Sequence, residues 1–215
     1  MVNGSKGNAR RRYDSSARRA RAEESRERVL SESWKLFRER GYGATTISAV
    51  AAAAGVSAES VYKVFGNKAG LLGALHNRAL EGTGPVPAAE RSDLLQAREE
   101  DPKKLISGIG ALTAEVAPLV APVLLLIRQA AATGQADMIA LLEETERSRY
   151  ERMSQVAGTL AQRGMLRRGL PTEEAADLMW AYTSPGLFED LVIKRGWDAS
   201  RFGEFVARAL SVLLP

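Results

Sequence analysis

The chain has 215 residues, of which 45% are hydrophobic and 6% aromatic, and its abundance of Ala and Leu favours helices over strands. It contains no Cys, which excludes a disulfide framework and a thiol site, and no run of about 18 apolar residues that would span a membrane. Residues 1–80 carry 15 Lys and Arg against 7 Asp and Glu, whereas the remainder is mildly acidic. This asymmetry indicates a polyanion-binding module joined to a separate body. Together these features predict a soluble, cytoplasmic protein.

The first segment, residues 1–21, is predicted to be a disordered basic arm. It holds seven Lys and Arg, one Asp and hardly any apolar side chain, so it cannot bury enough surface to fold alone. A nucleic-acid contact and a simple solubilising tail both agree with this composition. The arginines concerned are Arg10, Arg11, Arg12, Arg18, Arg19 and Arg21.

A three-helix domain is predicted for residues 22–66. Apolar residues at three- and four-residue spacing over 23–40 predict its first helix, which is expected to end at Gly41. Thr46 is the expected N-cap of a second, short helix over residues 47–54.

The second and third helices are predicted to meet at Gly55, which can adopt the left-handed conformation of a tight turn. Ser57 is expected to cap the third helix, residues 58–65. Two short helices joined in this way are typical of a helix-turn-helix, but an ordinary helical hairpin has the same periodicity, and the pattern alone leaves both open. Val56, Val61, Val64 and Phe65 are predicted to face the first helix, and Ser57, Ala58, Glu59, Ser60, Tyr62 and Lys63 to point outward.

The remaining residues, 67–215, are predicted to form a second, purely helical domain. Its first helix covers residues 68–80, and a polar, irregular stretch is expected to follow as far as residue 101. The fold class is therefore all-α, with about nine helices. The later helices are predicted at 102–117, 119–133, 135–164, 172–194 and 198–213, with a break at Pro118 and a kink at residues 184–186.

Residues 36–72, LFRERGYGATTISAVAAAAGVSAESVYKVFGNKAGLL, resemble the TetR (tetracycline-repressor) family of bacterial transcription regulators. The chain departs from the family pattern at Ala49, where the family usually has an acid that completes a capping box. The resemblance implies an N-terminal helix-turn-helix DNA-binding domain and a C-terminal domain that binds an effector and dimerises. The matching residues are Leu36, Phe37, Gly41, Tyr42, Thr45, Thr46, Ala54, Gly55, Val56, Ser57, Tyr62, Phe65, Lys68 and Leu71.

The resemblance also implies roles for individual residues. Thr46 and Lys68 would contact phosphates, and the Lys68 site also suits an anion because it lies at the start of a helix. Tyr62 and Lys63 would reach the DNA backbone. The base-reading residues would be Ser57, Ala58, Glu59 and Ser60, although Glu59 could either accept from a cytosine amino group or only solvate the helix. The basic arm would follow the minor groove, where narrow A·T tracts attract Arg.

The C-terminal part, residues 172–214, resembles the dimerising helices of the family. A regulator that reads two half-sites needs a two-fold interface, although the same apolar faces could instead fill the core of one chain. We expect a homodimer. Its interface residues are predicted to be Leu178, Tyr182, Phe188, Leu191, Val192, Phe202, Phe205, Ala209 and Leu213.

The resemblance further implies a cavity for a small-molecule effector between the helices of the second domain. Large, adaptable side chains suggest a mostly apolar or aromatic molecule, although packing in the core is the more usual role for any one of them. The ligand would relieve repression at a pseudo-palindromic operator. The candidate pocket residues are Met138, Leu141, Leu142, Tyr150, Met153, Met179 and Trp180.

An enzyme and an architectural DNA-binding protein are the alternatives. His76 is the only His, and it is expected to pack or be solvated rather than to act in catalysis or bind a metal. Residues 108–110, Gly-Ile-Gly, lie in a helical pattern without a preceding strand and so do not predict a nucleotide loop. We expect neither enzymatic activity nor a cofactor. An effector-independent architectural protein would have the same helix-turn-helix, but residues 102–214 are larger and more apolar than dimerisation alone requires.

Overall fold

The computed structural model describes the backbone of residues 6–215 and the side chains of residues 17–215. Helices account for nearly all of the regular structure in that range, and no strand occurs in it, so the all-α prediction is confirmed. Within that range the chain divides into two compact units, one ending at Ala74 and the other running from Leu75 to Pro215.

The first unit contains three helices and the beginning of a fourth. Gly41 interrupts the first of them with a φ of 76°, close to where the sequence predicted its end. These helices are α1 (Lys6–Ala44), α2 (Ile47–Ala54), α3 (Ala58–Phe65) and α4 (Lys68–Glu81).

The turns of the first unit form as the sequence predicted. Thr46 Oγ1 accepts a hydrogen bond from the Ala49 backbone N–H at 3.1 Å and so caps α2. Gly55 ends α2 with a φ of 67°, in the left-handed region that glycine adopts without strain. α2 packs against α1, and α3 packs against α2. The core of the unit is made of apolar residues of all four helices, including Leu30, Phe37, Val50, Val61, Leu71 and Leu72.

Val64 is an exception to the predicted inward face of α3, because 58% of it is exposed. An eight-residue helix has little more than two turns, and Val61 already fills the position that faces α2. Val64 lies three residues further on, at the edge of the buried stripe, so its position could not be decided from spacing alone.

The structure places residues 6–21 of the basic arm in α1, whereas the sequence predicted a disordered segment. Arg and Ala are strong helix formers, and lengthening an existing helix avoids the cost of nucleation. The acidic residues that follow the arginines form ion pairs within the helix, such as Arg26 with Glu23 at 3.5 Å and Arg28 with Glu24 at 3.5 Å. Residues 1–5 lie outside the described part of the chain.

The second unit contains six helices beyond α4. A π-helical segment, Glu189–Lys194, continues α9, and a 3₁₀ turn, Ser211–Leu213, follows α10. The helices are α5 (Ala88–Arg98), α6 (Pro102–Ala131), α7 (Ala136–Gln162), α8 (Thr172–Tyr182), α9 (Pro185–Phe188) and α10 (Ala199–Leu210).

The close crossing of α6 and α10 is made possible by two glycines. A Cβ atom on Gly203 would lie 2.4 Å from the Gly110 carbonyl oxygen and 2.7 Å from the Ala114 Cβ atom. A Cβ atom on Gly110 would lie 2.6 Å from the Gly203 carbonyl oxygen. The two backbones therefore touch at this point, which leaves no room for a side chain on either helix.

The break predicted at Pro118 is wrong, because α6 continues through both Pro118 and Pro122. Each Pro removes one backbone hydrogen bond of the helix and costs about 3 kcal/mol. The apolar residues that follow, including Val120, Val123 and Leu124, are buried, and their burial offsets that cost.

A real break occurs in the predicted helix 172–194, where only a kink was expected. α8 ends at Tyr182, and Ser184 caps a new helix by accepting from the Leu187 backbone N–H at 3.2 Å. Pro185 occupies the first turn of that helix, where its missing N–H is tolerated.

α5 lies in the stretch that the sequence suggested was irregular. Its composition is polar because it buries only Ala88 and Gln96. Arg91 fastens the helix to α6 by two hydrogen bonds to Glu115 at 2.6 and 2.7 Å. Hydrogen bonds from Arg91 and from the Thr83 backbone N–H lower the pKa of Glu115 to about 2, so this ion pair persists in moderate acid.

By length and composition, α6 could cross a membrane, and it is the one such helix in the described part of the chain. This is weak evidence for a membrane segment, because core helices of soluble proteins have the same composition. α6 packs against α5, α7, α9 and α10 and buries apolar residues along its length.

Candidate nucleic-acid interface and internal cavity

The outer surface of α3 carries small and polar side chains. Ser57 Oγ accepts a hydrogen bond from the Ser60 backbone N–H at 3.1 Å, and the two hydroxyl groups lie 2.8 Å apart. Glu59, Ser60 and Lys63 are exposed, whereas Ala58 is half-buried. Tyr62 is 52% exposed. The first turns of α3 therefore present hydroxyl groups and one carboxylate on a rigid, capped helix.

Thr46 is exposed at the start of α2, as its predicted phosphate contact requires. Its side chain caps the helix, and the first backbone N–H groups of α2 face the same end. A helix start with exposed N–H groups attracts an anion. No acid lies in this first turn, and Ala49 stands where the TetR pattern has one.

The phosphate contact predicted for Lys68 requires a correction. Lys68 Nζ donates hydrogen bonds to the carbonyl oxygens of Tyr42 at 2.6 Å, Thr45 at 3.0 Å and Gly43 at 3.4 Å. It also lies 4.1 Å from the centre of the Tyr42 ring. An ammonium group has three N–H donors, and these carbonyls use all three. The side chain thus ties α4 to the carboxyl end of α1, where the helix dipole favours a cation.

The arginines of the arm lie on a helix, which changes how they can meet DNA. Arg18, Arg19 and Arg21 are exposed on α1, and the side chains of residues 10–12 lie outside the described part of the chain. A helix is about 10 Å wide, and the minor groove is only about 6 Å wide. The predicted minor-groove path therefore does not suit residues 17–21, whose side chains could still reach phosphates.

A partly open cavity of about 350 Å³ lies within the second unit. It is bounded by the end of α4 and by α5, α6, α7 and α8. Most of the wall is apolar, and side chains of α6 and α7 supply much of it. This volume lies at the lower end of the range of small-molecule sites, about 300–1,000 Å³. The apolar wall residues include Ile109, Leu112, Val116, Met153, Val156 and Met179.

Only Met153 and Met179 of the seven predicted pocket residues line this cavity. Met138 is fully buried elsewhere in the core, and Leu141 and Leu142 are half-buried. Tyr150 points to the surface, where its hydroxyl donates to Asp177 at 3.0 Å. The sequence interpretation selected large side chains on the right helices but could not decide which face of α7 turns towards the cavity.

The polar part of the wall consists of hydroxyl groups, His76 and two arginines. Thr113, Thr145 and Thr183 donate their hydroxyl protons to carbonyls of their own helices, so their lone pairs remain for the cavity. His76 is 5% exposed, and burial lowers its pKa, against smaller opposing effects of Asn77 and Glu146. His76 is therefore neutral at pH 7.

Arg149 stands at the centre of a buried network. It donates to Glu146 at 2.9 and 3.2 Å and to the Trp180 carbonyl oxygen at 2.6 Å, and its guanidinium lies 4.4 Å from the Trp180 ring centre. Glu146 accepts a further hydrogen bond from Arg128 at 2.5 Å. Burial alone would raise the pKa of Glu146, but hydrogen bonds from Arg128 and Arg149 lower it. Burial lowers the pKa of Arg149, although its pairing with Glu146 opposes this.

Sequence comparison identifies the first unit. Residues 29–75, which contain the end of α1, all of α2 and α3 and the first part of α4, match the family described as bacterial regulatory proteins, tetR family. The whole chain is similar in fold to NalD, the secondary repressor of the MexAB-OprM multidrug efflux pump in Pseudomonas aeruginosa. That match has a TM-score of 0.68 and 21% identity, and it covers 90% of this chain and 97% of NalD. The first unit of the chain is therefore a TetR-family domain.

Two further solved structures extend the likeness in fold over the second unit. SmeT, the repressor of the multidrug efflux pump SmeDEF of Stenotrophomonas maltophilia, matches with a TM-score of 0.66 and 20% identity, covering 88% of this chain and 90% of SmeT. FadR of Bacillus subtilis in complex with stearoyl-CoA matches with a TM-score of 0.65 and 16% identity, covering 86% of this chain and 96% of FadR. No curated protein sequence matches the chain. At these identities the likeness shows the fold alone.

The predicted TetR dimer face divides into two groups. Phe188, Phe202 and Leu213 are buried in the core of this chain, where the Phe188 and Phe202 rings meet edge to face at 5.4 Å, so their assignment to an interface is wrong. Two apolar residues nearby that the sequence interpretation did not select are exposed, Ile193 at 56% and Val212 at 50%. The remaining predicted residues are half-buried, namely Leu178, Tyr182, Leu191, Val192, Phe205 and Ala209.

Two stripes on α10 explain this division. Phe202, Val206, Leu210 and Leu213 recur every three or four residues and are fully buried. Phe205, Ala209 and Val212 follow the same spacing on the adjacent side and stay accessible. Both stripes are apolar in sequence, so helical periodicity identified the helix but not which stripe faces the core.

His76 should make the protein less stable in mild acid. Its pKa is lowered in the folded state, so the unfolded state binds more protons as the pH falls below about 6.5, and folding stability decreases. We expect the melting temperature to fall between pH 7.5 and 5.5. The variant His76→Gln should lose part of this dependence, measured by thermal unfolding across that pH range. An identical pH profile in the variant would contradict the prediction.

Proposed function

We propose that this chain is a ligand-responsive transcriptional repressor that binds a pseudo-palindromic DNA operator as a homodimer. The first unit binds DNA, and the second unit binds a small molecule and dimerises. The protein acts in the cytoplasm without a catalytic role or a cofactor. The observation that carries the proposal is the joint presence of an exposed, capped α3 in the first unit and an apolar cavity in the second.

The surface of α3 supports reading of the major groove. Its exposed side chains are short and hydrogen-bonding near the start of the helix, as a recognition helix requires. Glu59 and Ser60 are exposed base-reading candidates, and the Ser60 hydroxyl lies 2.8 Å from that of Ser57, which also caps the helix. Thr46, Tyr62 and Lys63 suit contacts with the phosphate backbone.

The cavity supports a ligand response and disfavours the architectural alternative. A domain that served only for dimerisation would be expected to fill its interior, because protein cores are closely packed. NalD and SmeT are named as repressors of efflux pumps, which supports a repressor but does not name the ligand here. Occupancy of the cavity would favour a dimer geometry that no longer fits two successive major grooves.

A two-fold partner would cover the exposed apolar side of α10 and the segment before it. Phe205, Val212 and Ile193 are accessible there, and apolar side chains of this size gain free energy when a partner removes them from water. A homodimer would also place two α3 helices on one operator, which mirrors the two-fold symmetry of a palindromic site.

Selection from random duplex DNA tests the proposal directly. We expect enrichment of a two-fold motif with half-sites about one helical turn apart. Salt-sensitive binding to all duplexes without enrichment would contradict the proposal and favour the architectural alternative. Once a motif is known, ligands can be screened by their ability to release that duplex.

Ser60→Ala should change sequence preference without unfolding the protein. The hydroxyl is exposed and would contact base edges, so its loss should alter preference at one or two base pairs, each worth about 1–3 kcal/mol. The measurement is a repeat of the selection with the variant. An unchanged motif would remove Ser60 from the base-reading set.

A further inference from the structure

We propose that the ligand of the cavity is an amphipathic molecule with one negatively charged group, which sits against Arg149 and Arg152. This inference rests on the proposed ligand response and deepens it, because it names the chemical class that the cavity selects. It adds an anionic end to the mostly apolar or aromatic ligand that the sequence suggested.

The wall of the cavity contains two guanidinium groups and no carboxylate. Arg149 and Arg152 both line it, and the only other titratable side chain in the wall is His76, which is neutral at pH 7. The carboxylates that pair with the arginines, Glu146 and Asp93, are not part of the wall. A molecule inside the cavity can therefore contact the two guanidinium groups, whereas their carboxylate partners lie behind them and do not reach the cavity.

The charges around the cavity do not balance. Glu146 is shared between Arg128 and Arg149, so one carboxylate serves two guanidinium groups. Asp93 pairs with Arg152 at 2.7 Å. Three positive charges thus face two negative charges, which leaves one positive charge beside a largely apolar space. A partly buried charge without a counter-charge is unfavourable, so a single anionic group on the ligand would balance the cluster.

The arginines also have unused hydrogen-bond donors. A guanidinium has five N–H groups. Arg149 makes three hydrogen bonds within the protein, to Glu146 and to the Trp180 carbonyl, and Arg152 makes two, to Asp93 and to the Ala89 carbonyl. Both side chains can therefore donate to a ligand without giving up a partner.

The geometry of α7 brings the two donors together. Arg149 and Arg152 are three residues apart and lie on one face of the helix, together with Thr145, Met153 and Val156. The apolar part of the ligand would lie against the methionines and the α6 side chains. A cavity of about 350 Å³ has room for on the order of twelve non-hydrogen atoms, since water occupies about 30 Å³ per molecule.

Matched sets of small molecules test the charge preference. Decanoate, decanamide and decanamidine have the same chain and nearly the same shape but carry a negative, zero and positive charge. 2-Naphthoate, 2-naphthamide and 2-naphthamidine repeat the comparison on a rigid aromatic frame. Binding to the full-length protein is measured by calorimetry. For at least one frame, we expect the carboxylate to bind about tenfold or more tightly than its amide, and the amidine to bind most weakly.

Two variants separate the role of charge from that of contact. Arg149→Gln removes a direct donor and should abolish the tenfold preference. Arg128→Gln leaves the wall unchanged, because Arg128 does not line the cavity, yet it removes the excess charge and should reduce the preference several-fold. Thermal unfolding without ligand identifies a variant that fails to fold. In that case, binding of the matched molecules to the unmodified protein still tests the charge preference.

The outcomes distinguish this inference from the proposed function. If the amide binds as well as its carboxylate, or if no carboxylate of either frame binds, the inference is overturned. If amides bind well and release the selected duplex, the repressor function stands without the charge preference. If carboxylates bind preferentially but never release the duplex, the charge preference stands and the proposed response fails.

Discussion

Gly203→Ala is expected to destabilise the second unit by about 3 kcal/mol, at the upper end of the cost of overpacking. The added Cβ would lie 2.4 Å from the Gly110 carbonyl oxygen, a backbone atom that cannot turn aside as a side chain can. α6 and α10 would have to move apart. That movement would loosen the contacts of Phe202 and Val206, which are fully buried on the same side of α10.

Gly158→Ala provides the matched control. Gly158 lies inside α7, and a Cβ there would meet nothing within 4 Å. The same substitution should therefore stabilise the protein by about 0.5–1 kcal/mol, because Ala restricts the unfolded chain and favours helix. We thus expect changes in stability of opposite sign for the same substitution at two helical glycines. The difference between them isolates the effect of the close crossing of α6 and α10.

Urea unfolding measures both changes. Trp180 and Trp197 report on the second unit, and a Trp34→Phe background removes the signal of the first. Equal stability of Gly203→Ala and the parent protein would mean that the two helices can separate without loss, contrary to the contact described here.

Lys68→Met should destabilise the first unit by about 2 kcal/mol and weaken DNA binding without changing its salt dependence. The ammonium holds three carbonyls at the end of α1, and hydrogen bonds of charged groups contribute about 1.5–3 kcal/mol. Since these bonds use all three donors, Lys68 should release no counterion from DNA. Hydrogen–deuterium exchange of α1–α3 measures the loosening, and duplex titrations at several salt concentrations measure the slope.

Lys63→Ala is the complementary control in the same unit. Lys63 is exposed on α3, so its replacement should change stability by less than about 0.5 kcal/mol. If it contacts a phosphate, the salt slope should decrease by about one. A reduced slope for Lys68→Met, with stability unchanged, would restore the phosphate contact that the sequence resemblance implied.

The turns of the first unit were predictable from sequence because each depends on a local rule. Thr46 and Ser57 cap helices through their own side chains, and Gly55 takes a conformation that other residues avoid. The role of Lys68 was not predictable in the same way. Its partners lie more than twenty residues earlier in the chain, and only the folded backbone brings them within reach.

The second unit shows where helical periodicity stops being informative. α7 and α10 each have more than one apolar stripe, so the sequence placed Met138 in the cavity and Phe202 in an interface, although both are buried in the core. The sequence did not predict that two arginines would lie together in the cavity wall. Arg149 and Arg152 are ordinary charged residues in sequence, and only the packing of α7 turns them inward.

α5 forms one wall of the cavity and is attached to the rest of the second unit differently from the other wall helices. It buries little of its own surface and is held by Arg91 to α6 and by Arg152 to α7, whereas α6, α7 and α8 share a continuous apolar core. The pair between Arg152 and Asp93 is open to solvent on the Asp93 side, which is 63% exposed, and such pairs weaken as salt concentration rises. The rate at which a molecule leaves the cavity would thus depend on ionic strength even if its own contacts were purely apolar, so occupancy time and affinity are set by different parts of the protein.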